Sequence, residues 1–227
     1  MKYIIDGINE ANYDYSIENI KGLMDIKDQV FIKSMSTIIN TVNLYDNDLK
    51  RHCENVALLS KEIAKELGCK TYEVECAYVT GLLHDIGMKF VNKDILNKKA
   101  PLTSHEYEIV KRHCKYGYEI FSEDTDLGFI GKCILHHHER YDGRGYPERL
   151  RGFNIPFISR IVSVADSYDA IRNDRPYRKK MSREDALIEI HRNIRKQFDP
   201  YVVDGLISYL DIKVESPNYQ ATEKSPI

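Results

Sequence analysis

Two pairs of adjacent potential metal ligands stand out in the sequence. His84 directly precedes Asp85, and His137 directly precedes His138. Adjacent residues on a helix point about 100° apart but differ in height by only about 1.5 Å. Such a pair therefore suits two neighbouring ions, with one ligand on each or with the carboxylate bridging them. Together with three single residues, the pairs form a candidate set of seven ligands: His52, His84, Asp85, His113, His137, His138 and Asp166.

The ligand types indicate which ions this set would prefer. Imidazole combined with carboxylate favours iron, manganese or zinc over magnesium or calcium, and two ions about 3.5–4 Å apart would use both pairs. Each histidine alone is more simply explained as a core or surface residue, so the hypothesis depends on the whole set. Residues 136–138 form a run of three histidines, which leaves the register of the second pair open. We expect no metal role for His105, His136 and His191.

Composition limits the classes of protein that remain. The 227 residues carry a formal net charge of −2, so no basic field attracts nucleic acid polymers or an anionic membrane. Five cysteines without a C-x-x-C spacing indicate neither a disulfide framework nor a thiolate zinc site. No stretch approaches the roughly 18 apolar residues of a membrane helix, and the N-terminus lacks a signal-peptide core. We therefore expect a cytoplasmic protein.

The elements that would position these ligands are helices. Residues 1–24 lack a period and are predicted to form an N-terminal arm, whereas residues 25–212 carry apolar stripes with helical spacing. Thr103 and Glu106 fit a capping box, which marks one helix start. Residues 213–227 are predicted to be a polar C-terminal tail. The fold class is therefore all-α, with about eight helices in one domain.

The sequence resembles the HD-GYP family of HD-superfamily metal-dependent phosphohydrolases. The resemblance covers roughly residues 28–210 and is densest in residues 137–147, HHERYDGRGYP, which match the family signature H-H-E-x-x-D-G-x-G-Y-P. A signature of this length is highly specific. Further matching segments are HDIG at 84–87, DILNK at 94–98, KRH at 111–113, VADSYDA at 164–170, DRPYR at 174–178 and QFDP at 197–200.

The resemblance implies an HD-domain helical bundle with a C-terminal HD-GYP extension. It selects His137 and His138 as the second pair, and it implies two bound transition-metal ions, iron or manganese, with His84 and Asp85 at the catalytic centre. Some family members bind a third metal through an acid at the position of Asp48, although an exposed helix N-terminal acid is the simpler explanation. The implied substrate contacts are Lys98, Arg140, Tyr146, Asp169, Arg175 and Arg178. Among these, Asp169 could instead hold in place the glycine-rich loop, residues 142–147.

The activity implied by the resemblance is hydrolysis of cyclic di-GMP to pGpG, GMP or both, by a metal-bridged hydroxide. Met88 departs from the family pattern, because it occupies the lysine position of H-D-x-G-K, and Lys89 is displaced by one residue. Two alternatives therefore stay open: a catalytically weak cyclic di-GMP receptor or interaction module, and a phosphodiesterase for another cyclic dinucleotide such as cyclic GMP-AMP. The expected partners include no nucleic acid polymer and no membrane, and the first amphipathic helix could support a homodimer.

Overall fold

Helices make up most of the part of the chain that the structure describes. A computed structural model describes residues 47–122, 127–174 and 179–210. Its helices are α1 (Asn47–Glu66), α2 (Thr71–Leu83), the single turn α3 (Lys93–Leu96), α4 (Ser104–Lys111), α5 (His113–Phe121), α6 (Gly128–Leu135), α7 (Phe157–Arg172), α8 (Arg183–Arg192) and α9 (Pro200–Tyr209). Short 3-10 segments lie at Ile86–Phe90 and Gly152–Asn154.

This architecture confirms the all-α prediction and the expected number of helices. Eight helices have eight residues or more, and within the described ranges no strand forms beyond an isolated bridge between Ile194 and Phe198. The predicted arm at 1–24 and the tail at 213–227 lie outside the described residues. No helix in the described part is long and apolar enough to span a membrane.

Helices α1, α2 and α7 form the centre of the bundle. Helix α1 buries a stripe that includes Val56, Leu59 and Ile63, as its apolar spacing requires. Gly81 on α2 permits the close approach of α1, because a Cβ at this position would meet the Ala57 Cα at 2.8 Å. Helix α7 is buried on several sides and contacts α1, α2, α8 and α9. The centre is therefore a rigid frame for side chains that point out of these helices.

Five segments of this frame carry the predicted ligands. His52 lies on α1, and the pair His84–Asp85 follows the end of α2. His113 is the first residue of α5, the pair His137–His138 follows α6, and Asp166 lies on α7. The capping box predicted at Thr103 and Glu106 is present at the start of α4, which leads directly into α5.

Candidate metal centre

The predicted ligands converge into two groups of donor atoms. His52, His84 and Asp85 form one group, and the donor atoms within it lie within 4.8 Å of one another. The second group has the same spacing limit and consists of His113, Cys114, His137 and His138. Asp85 lies between the two groups, because its Oδ2 is 3.3 Å from His84 Nε2 and its Oδ1 is 3.4 Å from His113 Nε2. One carboxylate thus faces both groups, as a bridging ligand would.

Backbone carbonyls fix the tautomer of three of these histidines. In each of them Nδ1 contacts a carbonyl oxygen three residues earlier, at the end or start of a helix. The pairs are His84 with Gly81, His113 with Val110, and His137 with Ile134, at 2.7, 2.8 and 2.7 Å. A carbonyl only accepts hydrogen bonds, so Nδ1 must carry the proton. In the neutral ring this leaves the Nε2 lone pair directed into the cluster, which is how metal-binding histidines are usually oriented.

The Nε2 atoms indicate that a cation belongs between them. His113 Nε2 and His137 Nε2 are 3.4 Å apart although both rings protonate at Nδ1, so two lone pairs face each other. The His84 ring is buried, and its Nε2 makes no well-formed hydrogen bond among the described residues, although the Asp85 carboxylate lies 3.3 Å away. A buried polar atom without a partner is costly. A transition-metal ion would satisfy these nitrogens, and the residues present therefore fit a metal centre.

His52 is held between two aspartates of α7. Its Nδ1 is 2.6 Å from Asp169 Oδ2, and its Nε2 is 3.2 Å from Asp166 Oδ1. The other oxygen of Asp169 accepts a hydrogen bond from Asn55 Nδ2 at 2.9 Å. Asp169 is 2% exposed, and both its carboxylate oxygens contact residues of α1. Its role as a substrate contact stays a prediction, and so does its alternative role in holding the glycine-rich loop in place.

The protonation equilibria of the site differ between its members. Burial alone would lower the pKa of His52, but the carboxylates of Asp166 and Asp169 outweigh burial and raise that pKa to about 10. Burial likewise opposes the charged form of His84, and Asp85 raises its pKa above the ordinary value. Burial dominates at His138 and lowers its pKa to about 4. His138 is therefore ready to donate a lone pair at neutral pH, whereas an ion at His52 must displace a proton.

These shifts predict how the stability of the metal-free protein depends on pH. The folded chain keeps protons on His52 and His84 that the unfolded chain loses above about pH 6.5. We therefore expect the free energy of unfolding to decrease between about pH 6.5 and 8.5, by at most about 1.4 kcal/mol per pH unit for each retained proton. Urea unfolding in the presence of a chelator would measure this slope, and Asp169→Asn should make it shallower. A stability that rises across this window would contradict the prediction.

Among the other residues predicted for the site, Tyr146 lies beside the donor groups, whereas Lys98 and Asp48 form ion pairs. Tyr146 lies beside the cluster, with its ring centroid 5.0 Å from that of His138. Lys98 pairs with Glu106 at 2.6 Å, on α4. Asp48 is exposed, its carboxylate is 2.9 Å from the Arg51 guanidinium, and among the described residues neither donor group includes it.

Of the three arginines predicted to contact substrate, the structure describes only Arg140. The guanidinium of Arg140 donates hydrogen bonds to both carboxylate oxygens of Asp142 and to Gln197 Oε1. These two neighbours fix the orientation of the guanidinium. Arg175 and Arg178 lie outside the described residues. The role of Arg140 as a substrate contact stays a prediction, as do the roles of Arg175 and Arg178.

Cys114 is a member of the second donor group that the sequence did not indicate. Its Sγ lies 3.4 Å from His113 Nε2, and the side chain is fully buried. Burial raises the pKa of this thiol well above its ordinary value, and the charge of Asp85 adds to the effect. Like the other four cysteines, Cys114 forms no disulfide in the described structure. The adjacency of Cys114 to His113 was the available signal.

A wide cleft adjoins the second donor group. Its volume is about 920 Å³, and His138 and Tyr146 contribute to its wall together with residues of α4, α5 and the glycine-rich loop. Six cationic side chains line it, Lys111, Arg112, Lys115, Arg140, Arg144 and Arg149, against a single acidic one, Glu108. The cleft is therefore suited to an anionic ligand beside the metal ligands.

The fold and the site together define a class: an all-helical protein with a histidine–aspartate metal centre that opens into a cationic cleft. Residues 36–202 match the family model described as HD domain. The chain therefore belongs to the HD superfamily of phosphohydrolases, and its signature at 137–147 places it in the HD-GYP branch.

Curated relatives agree with this placement. The chain is 37% identical over 180 residues to a cyclic di-GMP phosphodiesterase of Thermotoga maritima, covering 78% of this chain and 49% of that protein. It is 34% identical over 177 residues to a cyclic di-GMP phosphodiesterase response regulator of Xanthomonas campestris, covering 77% and 47%. It is 30% identical over 202 residues to a 3'3'-cGAMP-specific phosphodiesterase of Vibrio cholerae, covering 88% and 38%. The chain thus spans half or less of the length of these relatives.

Solved structures agree on the fold. A cyclic GMP-AMP-specific phosphodiesterase of Vibrio cholerae superposes with a TM-score of 0.59 at 21% identity, covering 78% of this chain and 48% of that one. An HDG"Y"P protein of Bdellovibrio bacteriovorus gives a TM-score of 0.60 at 18% identity, covering 74% and 55%. At this level of identity the likeness concerns the helical architecture.

Proposed function

We propose that the chain is a metal-dependent phosphodiesterase that hydrolyses cyclic dinucleotides, with cyclic di-GMP as the first candidate substrate. The observation that carries the proposal is the position of Asp85 between two groups of histidines, next to a cationic cleft. A cyclic dinucleotide, which carries one negative charge on each of its two phosphodiesters, suits such a cleft. The activities named for the relatives from Thermotoga maritima and Xanthomonas campestris support this substrate class. A cytoplasmic location is part of the proposal, because the five cysteines are free.

Two ions, iron or manganese, are the proposed cofactors. His52, His84 and Asp166 would hold one ion, His113, His137 and His138 would hold the other, and Asp85 would contact both. When bound, the ions supply Lewis acidity that activates water and neutralises charge on the phosphoryl oxygens. We propose no third ion at Asp48, since that side chain is exposed and paired with Arg51.

The side chains around the ligands have positioning roles in this proposal. Asp169 orients His52 through Nδ1 and keeps its Nε2 directed at the centre. Gly145 lets the glycine-rich loop lie against the second histidine pair, because a Cβ there would meet the Arg140 backbone nitrogen at 2.4 Å. This close approach places Tyr146 beside His138, at the boundary between the centre and the cleft.

A second candidate function is supported by Met88. This residue is half-buried in the 3-10 segment that follows Asp85, and its thioether can neither donate a proton nor neutralise phosphate. A chain that binds cyclic di-GMP tightly but releases product slowly would match this departure from the family pattern. The relative from Vibrio cholerae favours 3'3'-cGAMP as a second substrate to test.

One experiment distinguishes these functions. Protein purified anaerobically would be loaded with iron or manganese and incubated with cyclic di-GMP, 3'3'-cGAMP or bis(p-nitrophenyl) phosphate, and the products would be separated by chromatography. We expect pGpG or GMP from cyclic di-GMP, with activity that disappears on chelation and returns with the metal. Tight binding of cyclic di-GMP without any product would instead support the receptor.

A further inference from the structure

The proposed metal centre would contact only part of a bound cyclic dinucleotide. Such a molecule carries two phosphates and two bases, and only one phosphodiester can lie at the centre during a turnover. The cleft of about 920 Å³ begins at His138 and falls in the size range of small-molecule sites, about 300–1,000 Å³. The half of the ligand that is not being cleaved therefore has a space of suitable size and charge beside the centre.

Lys111 is a cation of this cleft that lies near two aromatic rings and a carboxylate. Its Nζ lies 4.7 Å from the ring centroid of Tyr107, one turn earlier on α4, and 5.3 Å from that of Tyr146 in the glycine-rich loop. Glu108 holds the same ammonium group at 2.6 Å, and the Lys111 side chain is 25% exposed. The ammonium is thus fixed between two rings of the wall, and little side-chain entropy remains to be lost when an anion binds.

Aromatic rings beside a fixed cation are a common platform for nucleotides. Bases stack on tyrosine rings with little dependence on sequence, and a neighbouring lysine binds phosphate as a point charge. Tyr107 is 47% exposed and lines the cleft, so one of its faces is accessible to a base. Tyr146 is closer to the metal ligands and contacts His138.

We infer that the cleft is a distal subsite for cyclic dinucleotides, in which Lys111 contacts the phosphate that is not cleaved and Tyr107 supports its base. The inference rests on the proposed function for the identity of the ligand, but binding in the cleft does not require the metals. Lys111 acts on affinity in this arrangement and does not touch the reacting phosphorus. Its loss should consequently raise KM and leave kcat nearly unchanged.

The chain offers a matched control for Lys111. Lys65 lies in the last turn of α1, as Lys111 lies in the last turn of α4. Each lysine pairs with a glutamate three residues earlier, at 2.7 Å for Glu62 and 2.6 Å for Glu108. Lys65 does not line the cleft. Replacing either lysine by methionine therefore removes the same kind of surface ion pair, and only one replacement changes the subsite.

The test begins with equilibrium binding of cyclic di-GMP to chelator-treated protein, measured by calorimetry. We expect Lys111→Met to raise the Kd about tenfold, Tyr107→Leu to raise it about fivefold, and Lys111→Arg to keep it within about threefold. Lys65→Met should leave it unchanged. A Kd for Lys111→Met equal to that of Lys65→Met would overturn the inference.

Kinetics of the metal-loaded protein give a second readout. For cyclic di-GMP, we expect Lys111→Met to raise KM about tenfold with kcat within about twofold. For bis(p-nitrophenyl) phosphate, which has no second phosphate and no base, the variant should match the unmodified chain. Equal losses on both substrates would overturn the distal role.

Different results would overturn the proposed activity and the proposed subsite. Weakened binding in Lys111→Met, without product from any variant, would overturn the proposed activity and support the subsite. Normal hydrolysis of cyclic di-GMP, with a Kd and a KM that Lys111→Met leaves unchanged, would overturn the subsite alone.

Discussion

Replacing Asp85 by asparagine is expected to lower phosphodiesterase turnover by at least about a thousandfold. The two carboxylate oxygens of Asp85 face His84 and His113, at 3.3 and 3.4 Å, so the side chain contacts both donor groups. Asparagine has nearly the same shape but no charge, and its amide nitrogen cannot ligate a cation. The variant therefore removes the negative charge that faces both donor groups and leaves the surrounding packing intact. Turnover of cyclic di-GMP by the metal-loaded protein would measure the effect.

Metal analysis gives an independent readout of the same substitution. We expect the bound transition metal per chain to fall by about half or more, because Asp85 is a ligand of both ions in the proposed centre. Asp94→Asn is the matched control, since Asp94 is exposed in the first turn of α3 and belongs to neither donor group. Full metal content and turnover in Asp85→Asn would show that this carboxylate does not connect the two groups.

The position of the candidate site could be predicted from residue types. A histidine followed by an aspartate at the end of a helix, together with a second histidine pair further along the chain, is most simply explained by a shared metal site. The structure brings the residues of both pairs together with His52 and His113, and Asp166 contacts His52. The helices could also be predicted, because each helix has to bury an apolar stripe and therefore carries apolar residues at helical spacing.

The hydrogen-bond partners of individual polar side chains could not be predicted from the sequence. Asp169 and His52 are separated by 117 positions, and only the packing of α7 against α1 places their side chains 2.6 Å apart. The Lys98 ammonium group donates hydrogen bonds to both carboxylate oxygens of the capping residue Glu106, a pairing that the sequence pattern did not indicate. Its contact with phosphate stays a prediction. The partners of such residues depend on tertiary distances, which a periodic pattern does not contain.

The distal cleft shows the same limit at a larger scale. Tyr107 and Lys111 carry no unusual spacing for a surface helix, since residues four apart lie on one face of any helix. Their relation to Tyr146 arises because the glycine-rich loop folds back over α4, which brings a third side chain to the same ammonium group. A contact between a local pair and a distant loop is visible only in three dimensions.

Gly87→Ala is expected to destabilise the fold by about 3 kcal/mol or more. A Cβ at Gly87 would lie 1.9 Å from the carbonyl oxygen of His113 and 2.7 Å from the backbone nitrogen of Gly117. Both obstacles are backbone atoms of α5, so no side chain can rotate away. The 3-10 segment would have to separate from α5, and the melting temperature should fall by about 6–12 °C. Thermal unfolding of the metal-free protein would measure this change.

Gly128→Ala provides the control for this substitution. Gly128 begins α6, and no described atom lies within 4 Å of a Cβ added there, so its melting temperature should stay the same or rise slightly. The separation caused by Gly87→Ala would also move His84 and Asp85 away from His113, because these residues flank the same contact. We therefore expect weaker metal binding in folded Gly87→Ala at low temperature, measured by competition with a chelator. A variant with unchanged melting temperature and metal affinity would show that the glycine after the histidine–aspartate pair is not required for the approach of α5.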